Sequence, residues 1–238
     1  MAGFLHRYVD DPSAPREKEY WRDIAVRGLL PALVLLALVY VIGEFILPFG
    51  GVSDEAALNQ QLQAGRTPAS DLLAYVVSHA AGVVGAPLTA LIAFFWIRRA
   101  TGQWWLGLVP LVSVALEALV YQTATVLVGR KRPDGVEQMD FGLPDGSFPS
   151  GHVGAATCLV LVFALLAWSS RHSTAFKVAV SVAGVVWVVA VALSRLYLGM
   201  HHVSDAVAGV VIGALCALLG WNALRRSPGR ARPRGERA

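Results

Sequence analysis

The sequence predicts an all-α fold, an integral membrane bundle of six transmembrane helices. Hydrophobic residues make up 55% of the 238 residues, whereas charged residues make up only 15%. A soluble domain carries about 25% charged residues, so a soluble fold of this length would leave too much apolar surface in water. The third observation is a set of six long apolar stretches. The only cysteines, Cys158 and Cys216, lie within these stretches and indicate packing residues rather than a disulfide scaffold.

Each of the six stretches is about as long as the 20 residues or so that cross a bilayer core. In order, they cover residues 27–48, 70–97, 104–129, 151–169, 174–198 and 203–224. Each must be helical, because lipid offers no partner for open backbone groups. Residues 1–26 are polar and predict a cytoplasmic segment, and residues 49–69 predict a polar outer loop. Residues 27–224 therefore predict one membrane domain, followed by a disordered basic cytoplasmic tail over residues 225–238.

The positive charges predict the orientation of the bundle. Of the 20 Lys and Arg residues, 15 lie on the side that holds both chain termini. The positive-inside rule therefore predicts a protein of the cell membrane with both termini in the cytoplasm. The five exceptions, on the outer side, are Arg66, Arg130, Lys131, Arg132 and Arg195. Three of them are consecutive, at 130–132, and Arg195 lies near the outer end of the fifth stretch, as expected if these four bind an anion there. The basic tail indicates a topology anchor on anionic lipid, not a nucleic-acid contact.

Polar residues gather where four of the stretches reach the outer side. Between the third and the sixth stretch they are Arg132, Ser150, Gly151, His152, Arg195, His201 and Asp205. They are far apart in sequence, but the predicted topology brings them to one layer. Two histidines, two arginines and an aspartate in one layer predict a catalytic site at the outer face.

The spacing of these residues suits the binding of an anion. Ser150 is placed to cap the fourth helix, and Gly151 allows a ligand to approach the backbone closely. The free amides at a helix start favour an anion. His201 and Asp205 are four residues apart, so on a helix they share a face. The carboxylate is then expected to bind one ring nitrogen and leave the other free to attack. The planar donors of the two arginines match phosphoryl oxygens.

Three motifs together resemble a known family. They are ArgPro at 132–133, ProSerGlyHis at 149–152, and SerArg at 194–195 followed at fixed spacing by His201 and Asp205. This combination is similar to the signature of the type 2 phosphatidic acid phosphatase superfamily. That superfamily includes lipid phosphate phosphatases, undecaprenyl diphosphate phosphatases and vanadium haloperoxidases. The resemblance covers residues 117–215 or so and implies a phosphatase acting on a lipid phosphate or diphosphate.

The resemblance also implies a mechanism through a phosphohistidine. His201 is expected to attack phosphorus, oriented by Asp205, while His152 protonates the leaving oxygen and then activates water. The expected phosphate-binding residues are Arg132, Arg195, Ser150 and Gly151. No metal and no other cofactor is expected, since cationic side chains and helix amides neutralise the developing charge. The expected partners are the lipid substrate and the bilayer; the sequence does not indicate an oligomeric state.

One position departs from the family pattern. The first motif usually begins with a lysine seven residues before the arginine, and that position is Thr125. The site is therefore predicted to be short of one cation. Arg130 is the better substitute, because Lys131 points away from Arg132 in an extended segment.

Three alternatives to hydrolysis stay open at this point. The same fold could transfer the phosphoryl group to another alcohol, giving a lipid-phosphate phosphotransferase. A haloperoxidase is disfavoured because those relatives are typically soluble. A non-catalytic transporter or receptor would explain the missing lysine but not the five central side chains.

The predicted third helix also carries a stripe of polar residues. Ser113, Glu117, Tyr121 and Thr125 recur every four residues and so face the bundle interior. An intramembrane carboxylate such as Glu117 is a functional candidate. A structural role in helix packing is at least as compatible with the pattern.

Overall fold

The computed structural model describes residues 20–47, 55–140, 146–170 and 172–224. The residues described form α-helices and connecting segments, without a strand. The helices are α1 (Tyr20–Ile24), α2 (Leu30–Val41), α3 (Glu55–Ala64), α4 (Pro68–Ala81), α5 (Gly85–Thr101), α6 (Trp104–Val128), α7 (Gly151–Ser169), α8 (Thr174–Tyr197) and α9 (Val203–Leu224). The all-α prediction is confirmed.

Within the described residues, five continuous helical segments are long and apolar enough to cross a membrane, and α4 with α5 makes a sixth if the bent pair counts as one crossing. The predicted six spans therefore match the described helices only with that bent pair included. The first segment runs over Trp21–Ile46, through π-helical turns at Ala25–Leu29 and Ile42–Ile46. It begins earlier than the predicted residue 27, because the helix extends into the preceding polar residues, where the buried Asp23 lies 4.0 Å from Arg27. Residues 1–19 and the predicted tail, 225–238, lie outside the described residues.

The second predicted span is not one straight helix. The helices α4 and α5 meet at an angle of 51°, with the break at residues 82–84. Thr67 starts α4 with a capping box that it shares with Ser70. Gly82 ends α4 in an extended conformation, and a side chain at Gly85 would overlap the carbonyl oxygen of Ala80. The prediction of one span over residues 70–97 is corrected here: Gly82, Gly85 and Pro87 interrupt the apolar stretch without changing its average hydropathy enough to divide it.

The predicted outer loop at residues 49–69 contains α3, which packs on the end of the bundle where α6 and α8 finish and α7 and α9 begin. The buried side-chain amide of Asn59 donates to the carbonyl oxygens of Leu196, at 2.8 Å, and His201, at 3.0 Å. These bonds stabilise the turn between α8 and α9. We call this end of the bundle the site end.

The core of the bundle is formed by α6, α7 and α9. In the most apolar part of α7, 67% of the residues are buried, whereas in the most apolar part of α8 only 6% are buried. Several valines of α8 are exposed on the outside of the bundle. Close packing of α7 and α9 depends on small residues. A side chain at Gly213 would overlap the carbonyl oxygen of Gly154. The backbone of α7 is thereby held at the centre of the protein, with its first residues at the site end.

Candidate active site

Several of the predicted site residues meet in one cavity at the site end, which we call the phosphate cavity. Its lining residues are Tyr121, Thr125, Arg132, Gly146, Gly151, His152, Arg195 and His201. They come from α6, the segment after it, the start of α7, the end of α8 and the turn before α9. Sequence positions more than 60 residues apart thus converge because four helix ends lie at one level.

Arg195 is fully buried and supplies unused donors to this cavity. Its Nη1 donates to Ser78 Oγ at 2.7 Å and to Asp140 Oδ2 at 2.5 Å. Its Nε and Nη2 have no hydrogen-bond partner among the described residues. A buried guanidinium with two unpaired donors is costly unless an anion accepts from them. The arrangement is therefore suited to holding phosphoryl oxygens.

Asp140 is a site residue that the sequence analysis missed. Burial alone would raise its pKa, but the hydrogen bond from Arg195 and the charge of that guanidinium lower it below the usual value. Asp140 is therefore ionised at neutral pH and fixes the orientation of Arg195. The segment between α6 and α7 contains four acidic residues, Asp134, Glu137, Asp140 and Asp145, and the sequence does not distinguish Asp140 from the others.

His201 lies in the same cavity and is 5% exposed. Its Nδ1 is 2.6 Å from the carbonyl oxygen of Ser147, which can only accept, so Nδ1 carries the proton. Burial, together with the positive charge of Arg195, holds the pKa of His201 well below its ordinary value. The imidazole is therefore neutral at pH 7, with the lone pair on Nε2. This is the state a nucleophile requires.

The predicted hydrogen bond between Asp205 and His201 is not formed. His201 Nδ1 and Asp205 Oδ2 are 3.9 Å apart, and Asp205 Oδ2 instead accepts from the His202 backbone N–H at 2.7 Å and from His202 Nδ1 at 3.1 Å. The reason is that α9 begins only at Val203. His201 therefore precedes the helix, and the helical spacing rule does not apply to it. Asp205 holds the turn that carries His201 rather than the imidazole itself.

Arg130 does not replace the missing lysine. Its guanidinium donates to Glu55 at 2.9 Å, to Ser204 at 2.7 Å and to Asp205 at 2.5 Å, and it does not line the phosphate cavity. The prediction for Arg130 is wrong because α3 brings the Glu55 carboxylate to it. Thr125 itself lines the cavity, and its hydroxyl has no partner among the described residues.

Ser150 and Gly151 open α7 as predicted, but Ser150 makes no capping bond with its side chain. Its backbone N–H donates to the Asp205 carbonyl oxygen at 3.0 Å, and its hydroxyl is buried without a partner among the described residues. Arg132 lines the cavity and donates to the carbonyl oxygen of Met200 at 3.1 Å. Gly151 is packed against the ring of Tyr121, where a side chain would overlap it.

His152 stands between the phosphate cavity and a second cavity of about 70 Å³. Its ring lies against Gly82, at the bend between α4 and α5. A Cβ atom at Gly82 would be 2.9 Å from His152 Nε2 and 3.3 Å from Cδ2. Gly82 has an ordinary extended backbone, so glycine is required here for space and not for conformation. The bend in the second span thus provides room for the imidazole.

Comparisons with known proteins agree with the fold and with these motifs. The chain is 33% identical over 143 residues to phosphatidylglycerophosphatase B of Bacillus subtilis, a match that covers 56% of this chain and 64% of that protein. It is 30% identical over 125 residues to lipid A 1-phosphatase of Rhizobium johnstonii, covering 48% of this chain and 46% of that protein. The matches thus span about half to just under two thirds of these relatives.

A crystal structure has the same fold. It is that of the first transmembrane PAP2 type phosphatidylglycerolphosphate phosphatase from Bacillus subtilis, with a TM-score of 0.67 and 22% identity over 81% of this chain and 93% of that chain. The sequence model of the PAP2 superfamily matches residues 106–228, which contain the three motifs and both histidines of the phosphate cavity. With over half of its length covered by that match, and with several helices able to cross a membrane, the chain is a multi-pass membrane protein that belongs to the PAP2 superfamily.

Proposed function

We propose that this protein is a phosphatase that hydrolyses a lipid phosphate or diphosphate at the membrane. The observation that carries the proposal is the phosphate cavity, in which a neutral His201 and the unpaired Nε and Nη2 of Arg195 converge with His152. Such a set can bind, attack and protonate a phosphoryl group. The relatives named lipid A 1-phosphatase and phosphatidylglycerophosphatase B support a lipid substrate.

The proposed reaction has two steps. In the first, His201 Nε2 forms a bond to phosphorus, the bond to the leaving oxygen breaks, and His152 donates a proton to that oxygen. In the second, His152 removes a proton from water, the water oxygen bonds to phosphorus, and the phosphorus–nitrogen bond breaks to release inorganic phosphate. Arg132 and Arg195 hold the oxygens on which charge accumulates. Asp205 and Arg130 stabilise the turn that presents His201.

Phosphate release tests the proposal directly. The purified full chain is incubated in mixed micelles with phosphatidic acid, phosphatidylglycerol phosphate and a polyprenyl diphosphate, with and without EDTA. We expect free phosphate from at least one substrate, and equal rates with EDTA because the proposed chemistry uses side chains in place of a metal. A rate that depends on an added alcohol acceptor would indicate a phosphotransferase. No phosphate from any substrate would refute the proposal.

Gly82→Ala is expected to lower kcat about 10- to 100-fold, because the added methyl group displaces His152 by a few tenths of an ångström or more. The loss in kcat/KM, which reports the attack step, should be larger for an alkyl phosphate than for an aryl phosphate, whose leaving oxygen needs no proton. The kcat/KM values for both substrates measure this difference, because the later hydrolysis of the phosphohistidine is common to both. Gly65→Ala is the matched control, since a Cβ atom there meets nothing within 4 Å. An equal loss on both substrates would contradict a role through His152.

We further propose that the site end faces the outside of the cell, as the charge distribution predicts. Cysteine at Gly65, on the site end, should react with an impermeant thiol reagent added to intact cells. Cysteine at Ser173, at the opposite end of α8, should not. The two native cysteines are buried and should stay unlabelled. The reverse labelling pattern would place the site in the cytoplasm.

Thr125→Lys is expected to bind orthovanadate about tenfold more tightly, because Thr125 lines the phosphate cavity and Arg130 is engaged elsewhere. Inhibition of phosphate release measures the affinity, and the thermal midpoint confirms that the variant is folded. Unchanged affinity in a folded variant would show that the cavity does not need a further cation.

A further inference from the structure

The second cavity beside His152 differs in chemistry from the phosphate cavity. It lies between the bend of the second span, α6 and the start of α7, and shares Tyr121, Gly151 and His152 with the phosphate cavity. The rest of its lining is mostly alanine, valine, proline and glycine, with Gln122 and Glu117 as the polar additions. Of the described residues that line it, none is a lysine or an arginine. We call it the leaving-group cavity.

Glu117 is the unusual member of this lining. It is 2% exposed, and its Oε1 has no hydrogen-bond partner among the described residues. The carboxyl group packs on Gly154 of α7, where any side chain would overlap it. A carboxyl group that served only helix packing would be expected to have a polar partner, since an unpaired one costs free energy in the interior of a membrane protein. Glu117 instead lines a cavity.

The position of His152 indicates which part of the substrate lies in this cavity. In the proposed reaction His152 protonates the leaving oxygen, so that oxygen must lie next to the His152 ring. The phosphoryl group itself lies with Arg132, Arg195 and His201, in the phosphate cavity. The part of the substrate beyond the leaving oxygen then extends past His152 into the second cavity. If the substrate were a diphosphate, its second phosphate would enter a space without a cation and next to a carboxyl group.

We infer that this protein acts on phosphomonoesters of hydroxyl-bearing lipid alcohols, and that Glu117 determines this specificity by hydrogen-bonding a hydroxyl of the leaving alcohol. The inference rests on the proposed phosphatase function. A carboxyl oxygen accepts from a hydroxyl, so a ligand hydroxyl in this cavity would give the Glu117 carboxyl group a polar partner. The apolar lining suits the carbon chain next to that hydroxyl. A glycerol or sugar phosphate lipid has this chemistry.

Three substrates of defined structure test the inference in the full-length protein. Lysophosphatidate carries a hydroxyl next to the carbon that bears the phosphate, its 2-deoxy analogue lacks only that hydroxyl, and farnesyl diphosphate places a phosphate in the leaving position. We expect kcat/KM to be about tenfold higher for lysophosphatidate than for the deoxy analogue, as one lost hydrogen bond predicts. We expect the lowest value for farnesyl diphosphate.

Variants then assign the preference to Glu117. Glu117→Met keeps the volume of the side chain and removes an unpaired polar group, so it should fold, and its preference for lysophosphatidate over the deoxy analogue should fall to about one. Glu117→Gln should retain the preference, because the amide still bonds a hydroxyl. Ser113→Ala is the matched control one turn away on the same stripe, outside the cavity lining, and should also retain it.

The outcomes separate the inference from the function on which it rests. A wild-type protein that hydrolyses the deoxy analogue or farnesyl diphosphate as fast as lysophosphatidate would overturn the specificity and leave the phosphatase function standing. A preference that survives Glu117→Met would overturn the role of Glu117. Should that variant not fold, the comparison of substrates with the wild-type protein alone decides the substrate class. Phosphate from none of the substrates, including those tested above, would instead refute the proposed function.

Discussion

His201→Ala is expected to abolish turnover, with a loss of at least about a thousandfold in kcat, because the variant lacks the atom that attacks phosphorus. The protein should remain folded, since the imidazole packs in a cavity and makes one hydrogen bond, to Ser147. Phosphate release gives the rate. The protein is also incubated briefly with ³²P-labelled substrate, and acid-sensitive label on the protein reports the phosphohistidine. This label should be present on the wild-type protein and missing from the variant.

His202→Ala is the matched control for this prediction. His202 is the adjacent imidazole, but its Nδ1 bonds Asp205 and it does not line the phosphate cavity. We expect a loss below about tenfold, from loosening of the turn before α9. Near-normal activity of His201→Ala combined with a large loss in His202→Ala would show that the neighbouring histidine is the nucleophile.

The second large effect is expected for Arg195→Lys. The lysine keeps a positive charge beside Asp140 but supplies a single ammonium group in place of the planar guanidinium whose Nε and Nη2 face the cavity. Loss of donors aimed at the developing charge should lower kcat/KM about 100-fold or more. Inhibition by orthovanadate should weaken in parallel, because vanadate occupies the same donors.

Arg66→Lys is the control for a general effect of exchanging arginine. Arg66 lies at the same end of the bundle, where it pairs with Asp71 at 3.2 Å and Glu137 at 2.6 Å, but it does not line the cavity. We expect less than about a twofold change. Wild-type kcat/KM in Arg195→Lys would contradict the assignment of Arg195 to phosphate binding.

Some parts of the site were predictable because they depend on helix ends alone. The order of the apolar stretches predicts which polar residues reach the outer side, and so predicts that His152, Arg195 and His201 lie close together. All three line the phosphate cavity. Their roles in catalysis remain predictions, which the variants above address. The pairing of Asp205 was predicted wrongly, because the sequence does not mark that α9 starts two residues after His201.

Other features had no local signal. Glu55 and Asn59 lie in a segment predicted to be a polar loop, yet α3 brings them to Arg130 and to the turn before α9. The orientation of Arg195 depends on Ser78 and Asp140, which are 117 and 55 residues away in sequence. Such contacts follow from how helices pack and not from the composition of any one segment.

Length, hydropathy and motif spacing are enough to predict the class of this protein, the approximate positions of its apolar helices, and the set of side chains at one end of the bundle. These follow from short-range properties, because lipid requires helices of a given length and the motif spacing fixes which residues lie at their ends. The packed bundle is needed to see which donors remain unpaired among the described residues, that Nδ1 of His201 carries the proton, and that a bend at Gly82 makes room for His152 beside a cavity lined by Glu117. Hydrogen bonds and cavities depend on ångström-scale distances between helices, and those distances are set by packing across the whole bundle.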